Sequence, residues 1–150
     1  MTLKLDFKFI PTEGGYVVPA PYRASDGAAG LDLHAALDEA VTIEPGARAG
    51  IPLGIAVAIP HGFVGLLCSR SSLGVKHGLT MANSVGVIDE DYRGQIQVWF
   101  VNTSSEPYTV QPGDRVCQLL LLPYAAGEPH EVEELGLTDR GTKGFGSTGR

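Results

Sequence analysis

The sequence predicts a single all-β domain, a sandwich or barrel of many short strands. Glycine and proline, 20 and 10 of 150 residues, punctuate the chain too often for a helical bundle. Turn-forming stretches recur at Glu44-Pro45-Gly46, Pro60-His61-Gly62, Asp91-Tyr92-Arg93-Gly94 and Gln111-Pro112-Gly113-Asp114. Between them lie short runs rich in Val, Ile and aromatic residues, at the spacing of antiparallel β structure. A chain of 150 residues can bury about two thirds of its unfolded surface, enough for a core without staples.

The elements follow in order. Leu3, Leu5, Phe7 and Phe9 alternate with Lys4, Asp6 and Lys8, the pattern of a half-buried strand. Leu33 to Ala40 fits either helix or strand. Ile55–Ile59, Phe63–Cys68, Gln95–Val101 and Arg115–Leu122 read as strands, and Ser71–His77 as a short helix. The segment from Asp89 to Gly94 reads, taken alone, as a hairpin turn with three solvated acids. Five acids and no Lys or Arg occupy 128–139; 140–150 then hold Arg140, Lys143, Arg150 and four glycines. Such a basic, glycine-rich end packs poorly by itself and is expected to be a flexible arm on the domain 1–150.

Charge and cysteine content exclude several classes. Eleven Lys and Arg against 17 Asp and Glu give a net charge of −6, which disfavours a nucleic-acid binder with a basic face. The start of the chain alternates rather than offering the apolar run of a signal peptide, and no stretch approaches a membrane span. Cys68 and Cys117 lie among apolar residues without Cys-x-x-Cys spacing, so buried, reduced thiols in a cytoplasmic protein are expected.

Some motifs mislead. Gly144 to Gly149 matches the G-x-G-x-x-G string of dinucleotide-binding folds, but one residue follows it and no helix can. What survives is a glycine-rich backbone able to approach phosphates, with Phe145 available to stack on a base. His34, His61, His77 and His130 lack metal-ligand spacing, and no nucleophile elbow or Walker loop occurs. The densest polar region is 69–94. Ser69-Arg70-Ser71-Ser72 suits phosphate oxygens, or, more plainly, a helix cap at Ser71 or Ser72. Asp89, after the apolar pair Val87-Ile88, is placed to be a partly desolvated base.

Together these segments resemble, in order, the five motifs of the trimeric deoxyuridine triphosphate nucleotidohydrolase (dUTPase) family. They are AGLDLHA at 29–35, SRSSLG at 69–74, NSVGVIDEDYRG at 83–94, GDRVCQL at 113–119 and RGTKGFGSTG at 140–149. The resemblance implies a jelly-roll-like distorted β-barrel with one short helix, assembled as a homotrimer with active sites at subunit interfaces. It implies hydrolysis of dUTP to dUMP and diphosphate, which limits uracil in DNA and supplies dUMP for thymidylate synthesis. Asp89 would be the base that directs water at the α-phosphorus, and Tyr92 would lie under the deoxyribose. Asn83 and the hairpin backbone from Val87 and Ile88 to Gln97 would read uracil. Arg70, Ser71 and Ser72 would hold phosphates, with Gln118 near the α-phosphate. Magnesium would be held by phosphates and water, with Asp32 in its outer shell and no direct protein ligand. Arg140 would pair with the γ-phosphate, Phe145 would stack on uracil, and Gly146, Ser147 and Thr148 would close on the phosphates.

Three positions depart from the usual pattern: Ser69 for proline, and Ser72 and Lys143 for glycine. Arg-Ser-Ser-Leu also resembles dCTP deaminase, a relative of the same fold. The positions matching that enzyme's catalytic arginine and glutamate hold Val75 and Trp99, which cannot do proton chemistry. A catalytically silent nucleotide-binding module is a third reading; Asp89, Tyr92 and a complete arm argue against it.

Overall fold

The computed structural model describes residues 3–143. Its strands are β1 (Asp6–Phe9), β2 (Leu31–His34), β3 (Val41–Ile43), β4 (Arg48–Pro52), β5 (Ile55–Ala58), β6 (Phe63–Ser69), β7 (Leu79–Met81), β8 (Gly86–Ile88), β9 (Gln97–Asn102), β10 (Tyr108–Val110) and β11 (Arg115–Pro123). One helix, α1 (Ser71–His77), interrupts them. No helix of the described residues is long and apolar enough to cross a membrane.

Strand alternation builds the interior. Along β9, Val98, Phe100 and Asn102 point inward while Gln97 and Trp99 face out. One core cluster takes Leu33, Ile43, Ile51, Ile55, Leu67, Leu79, Phe100, Val110 and Leu119 from nine different strands. The strands form four antiparallel sheets, in the orders β2-β11-β6-β8, β4-β9-β7, β1-β5 and β3-β10. This is the expected all-β, jelly-roll-like arrangement, but the described ladders do not close into a barrel. Leu53-Gly54 separates β4 from β5, and Gly54 takes a left-handed φ of +65° there.

Several expectations need correction. β1 is shorter than the alternation implied, and all four of its residues are exposed. It pairs only with β5, and of the predicted inner face only Leu5 packs on the core. The 89–94 segment is not the turn of a hydrogen-bonded hairpin. β8 pairs with β6, whereas β9 pairs with β4 and β7, so the chain crosses from one sheet to another there. Arg70, not Ser71 or Ser72, is the N-cap of α1, and it makes no side-chain cap bond. Cys117 is buried as expected and burial pushes its thiol up to about 12, but Cys68 is only partly buried; both are free.

Candidate active site

The four-stranded sheet sets the predicted motifs side by side. In the order β2-β11-β6-β8, the segments around Asp32, Gln118, Arg70 and Asp89 become neighbours although they are scattered in sequence. A bulge in β11 refines the placement. Arg115 faces His34 and Cys117 faces Leu33, so Val116 is an extra residue in the ladder. Arg115 and Gln118, three apart, therefore both fall on the face of Asp32 and His34, which an unbroken strand would not allow.

Asp32 is the anionic centre of that face, and it is buried. Arg115 Nη1 donates to its Oδ2 at 3.1 Å, and Arg70 Nε stands 3.8 Å from Oδ1. Arg70 Nη1 in turn donates to the Arg115 backbone carbonyl at 2.9 Å, which ties the Arg70 guanidinium to β11. Gln118 Nε2 donates to the Ser69 carbonyl at 3.4 Å. His34 is stacked on Tyr22; its Nδ1 is buried without a partner among the described residues, and burial holds the imidazole below its ordinary pKa. Two cations around one carboxylate leave a net positive cluster suited to phosphate.

The second half of the site lies at the other end of the sheet. Val87, Ile88, Asp89, Tyr92, Gln95, Ile96 and Gln97 line a cavity of about 150 Å³. Gln97 also borders a neighbouring cavity of about 250 Å³ that contains Asn83. The Tyr92 hydroxyl donates to the Gln95 carbonyl at 3.0 Å, and Arg93 Nη1 caps the carbonyls of Glu90 and Tyr92 at 2.6 and 2.8 Å. Any side chain at Gly94 would collide with the Tyr92 hydroxyl, so glycine here lets the ring lie flat on the turn. Asp89 is exposed, not partly desolvated, because it lies past the end of β8, a strand at the edge of its sheet that pairs only with β6 among the described residues.

One chain does not bring the two halves together. Along β6 about 10 Å separates the rung Gly65–Ile88 from the rung Cys68–Gln118, and β8 and β11 flank β6 about 10 Å apart. Ile88 and Gln118 are thus about 14 Å apart, and Asp89 lies farther still. Ser71 is exposed and Ser72 half-buried at the start of α1. Arg140 is exposed and its Nε donates to the Lys143 carbonyl at 3.2 Å. Phe145, Gly146, Ser147 and Thr148 lie outside the described residues.

The dUTPase family model matches residues 17–149. The chain belongs to the dUTPase family. Among curated dUTPases it is similar to the deoxyuridine 5'-triphosphate nucleotidohydrolase of Desulfitobacterium hafniense, 51% identical over 130 residues and 86% of each chain. The corresponding protein of Citrobacter koseri is 42% identical over 151 residues, covering 100% of this chain and 99% of its own. Among solved structures, the dUTPase of Staphylococcus bacteriophage 80alpha with dUPNHPP superposes with a TM-score of 0.86 at 30% identity, over 99% of this chain and 100% of that one. This dUTPase chain also holds functional candidates that its sequence did not single out. Arg115 is unassigned within GDRVCQL, and only the bulge puts it opposite His34, on the face from which its side chain reaches Asp32.

Proposed function

We propose that this protein hydrolyses dUTP to dUMP and diphosphate, at sites shared between the chains of a homotrimer. The observation that carries the reading is the sheet order β2-β11-β6-β8 in a dUTPase-family chain, which collects four of its motifs on one sheet. Asp89 accepts the proton of the attacking water, which displaces diphosphate from the α-phosphorus in line. Arg70, Ser71 and Ser72 hold phosphates, and Gln118 stands near the α-phosphate. Such a reaction needs positioning and charge stabilisation rather than a covalent nucleophile. Tyr92 packs beneath the deoxyribose and leaves no volume for a 2′-hydroxyl. Asn83 and the backbone around Val87, Ile88 and Gln97 recognise uracil. From the end of the domain 1–150, Arg140 meets the γ-phosphate, Phe145 stacks on the base, and Gly146, Ser147 and Thr148 contact phosphates.

Asp89 and Gln118 must both act at one phosphorus, yet one chain holds them more than about 14 Å apart. A closed ring of three chains resolves this by setting the Asp89 end of one against the Arg70–Gln118 end of the next. The run 122–143, exposed along its whole length and carrying Val132, Leu135 and Leu137, supports an assembly in which other chains cover it.

Magnesium fits the described residues. No three His, Cys, Asp or Glu side chains among them converge as a cage, and an ion held by phosphates and water needs none. Asp32 Oδ1, 3.8 Å from Arg70 Nε, keeps an acceptor for water around the ion. When bound, the ion offsets phosphate charge. Deamination is not favoured: Val75 and Trp99 are exposed and carry no acid–base group.

Incubation with dUTP, dCTP and UTP in the presence of magnesium tests the reading. Diphosphate and dUMP from dUTP are expected, with little from UTP. Ammonia from dCTP, or no product at all, would contradict it.

A further inference from the structure

The ladder that carries Asp89 stops one residue short of it, at the Ile88–Gly65 rung. Beyond that rung, one side chain ties the 89–94 turn to another part of the described chain. Glu90 Oε2 accepts from the Gly62 N–H at 2.9 Å, and its Oε1 is 3.0 Å from His61 Nδ1. The anchor is itself fixed. Gly62 has φ +78°, a left-handed turn conformation that glycine adopts without strain. Its carbonyl accepts from the Tyr124 N–H at 3.2 Å, and the Phe63 N–H closes the turn onto the Pro60 carbonyl at 3.1 Å. The Glu90 carbonyl is held as well, by Arg93 Nη1 at 2.6 Å. A continuous set of bonds thus runs from the end of β11 through Gly62 to the residue beside Asp89.

We propose that Glu90 is a positioning residue: its clamp on His61 and the Gly62 N–H fixes where the Asp89 carboxylate stands. The inference rests on Asp89 being the base. Misplacing a catalytic group by about 1 Å can cost on the order of 10²-fold in rate, so a clamp on the adjacent residue has leverage. The Tyr92 ring is held by its hydroxyl bond to the Gln95 carbonyl, which does not involve the Glu90 carboxylate, so loss of the clamp should spare substrate binding.

The test measures kcat and KM for dUTP in Glu90→Ala, Glu90→Gln and His61→Ala, each in the parent and in an Asp89→Asn background. Glu90→Ala should lower kcat by roughly 10-fold with KM little changed. Glu90→Gln, which keeps an acceptor for the Gly62 N–H, should retain most of the turnover, and His61→Ala should fall between them. In Asp89→Asn the Glu90 effect should vanish, since no base remains to be positioned. Amide hydrogen exchange across 90–94 should quicken in Glu90→Ala, whatever the activity. An equal loss of kcat in both backgrounds, a change confined to KM, or parental turnover in Glu90→Ala would overturn the proposal alone. A parent that releases no diphosphate from dUTP would overturn the reading of the site and this inference with it.

Discussion

Asp89 stands past the last rung of an edge ladder and is exposed in the single chain, so the base proposed there would act through its position. Replacement by asparagine keeps the shape but removes the proposed base, a loss that typically costs about 10²–10⁴-fold in rate. Asp89→Asn should therefore lower kcat by that order while a non-hydrolysable dUTP analogue binds nearly as well as to the parent. Titration calorimetry beside steady-state kinetics separates the two quantities. Near-parental turnover would remove Asp89 from the mechanism. Tyr92, pinned by Gln95 and made room for by Gly94, should govern sugar choice. Tyr92→Ala should narrow the ratio of kcat/KM for dUTP over UTP, because a clash with the 2′-hydroxyl disappears; an unchanged ratio would place discrimination elsewhere.

Asn102, fully buried on β9, shows how single side chains tie elements together. Its Nδ2 donates to the carbonyls of Ile43 and Glu106 at 2.8 and 2.7 Å, and its Oδ1 accepts from Ser104. Asn102→Ala strands the buried Ile43 carbonyl and frees the partly exposed 104–106 turn, so a loss of about 1–3 kcal/mol in unfolding free energy is expected, read from denaturant melts. The Glu90 clamp predicts an acid effect. The Gly62 N–H, and then His61, hold the Glu90 carboxyl below its ordinary pKa. That stabilisation is present above the ordinary glutamate value and is lost as pH falls through the depressed one. Protection of the Gly62 amide, its exchange measured against the intrinsic rate at the same pH, should thus fall only on the acid side of the ordinary value. Strands with long apolar runs and flanking turns, such as β6, β9 and β11, were legible in the sequence, as was α1. β3, β7 and β10 were not, because three residues give no measurable alternation. Pairing was also hidden: whether β8 joins β6 or β9 is decided by packing far from the turn between them. The proposed site residues are marked in the sequence by motifs, but the bulge at Val116 and the Glu90 anchor depend on ladders and turns distant in sequence.

At the scale of the molecule, the decisive fact is that Arg70 and Gln118 lie at one end of β6 and Asp89 near the other. A site completed between chains predicts complementation. Arg70→Ala and Asp89→Asn chains should each be almost inactive alone. Unfolded together in equal amounts and refolded, they should form mixed trimers in which about one quarter of sites pair an intact Asp89 with an intact Arg70. The measurement is diphosphate release from dUTP by that mixture, with subunit exchange confirmed by mass. Recovery to roughly a quarter of parental activity is the predicted result; proven exchange without recovery would contradict a site shared between chains.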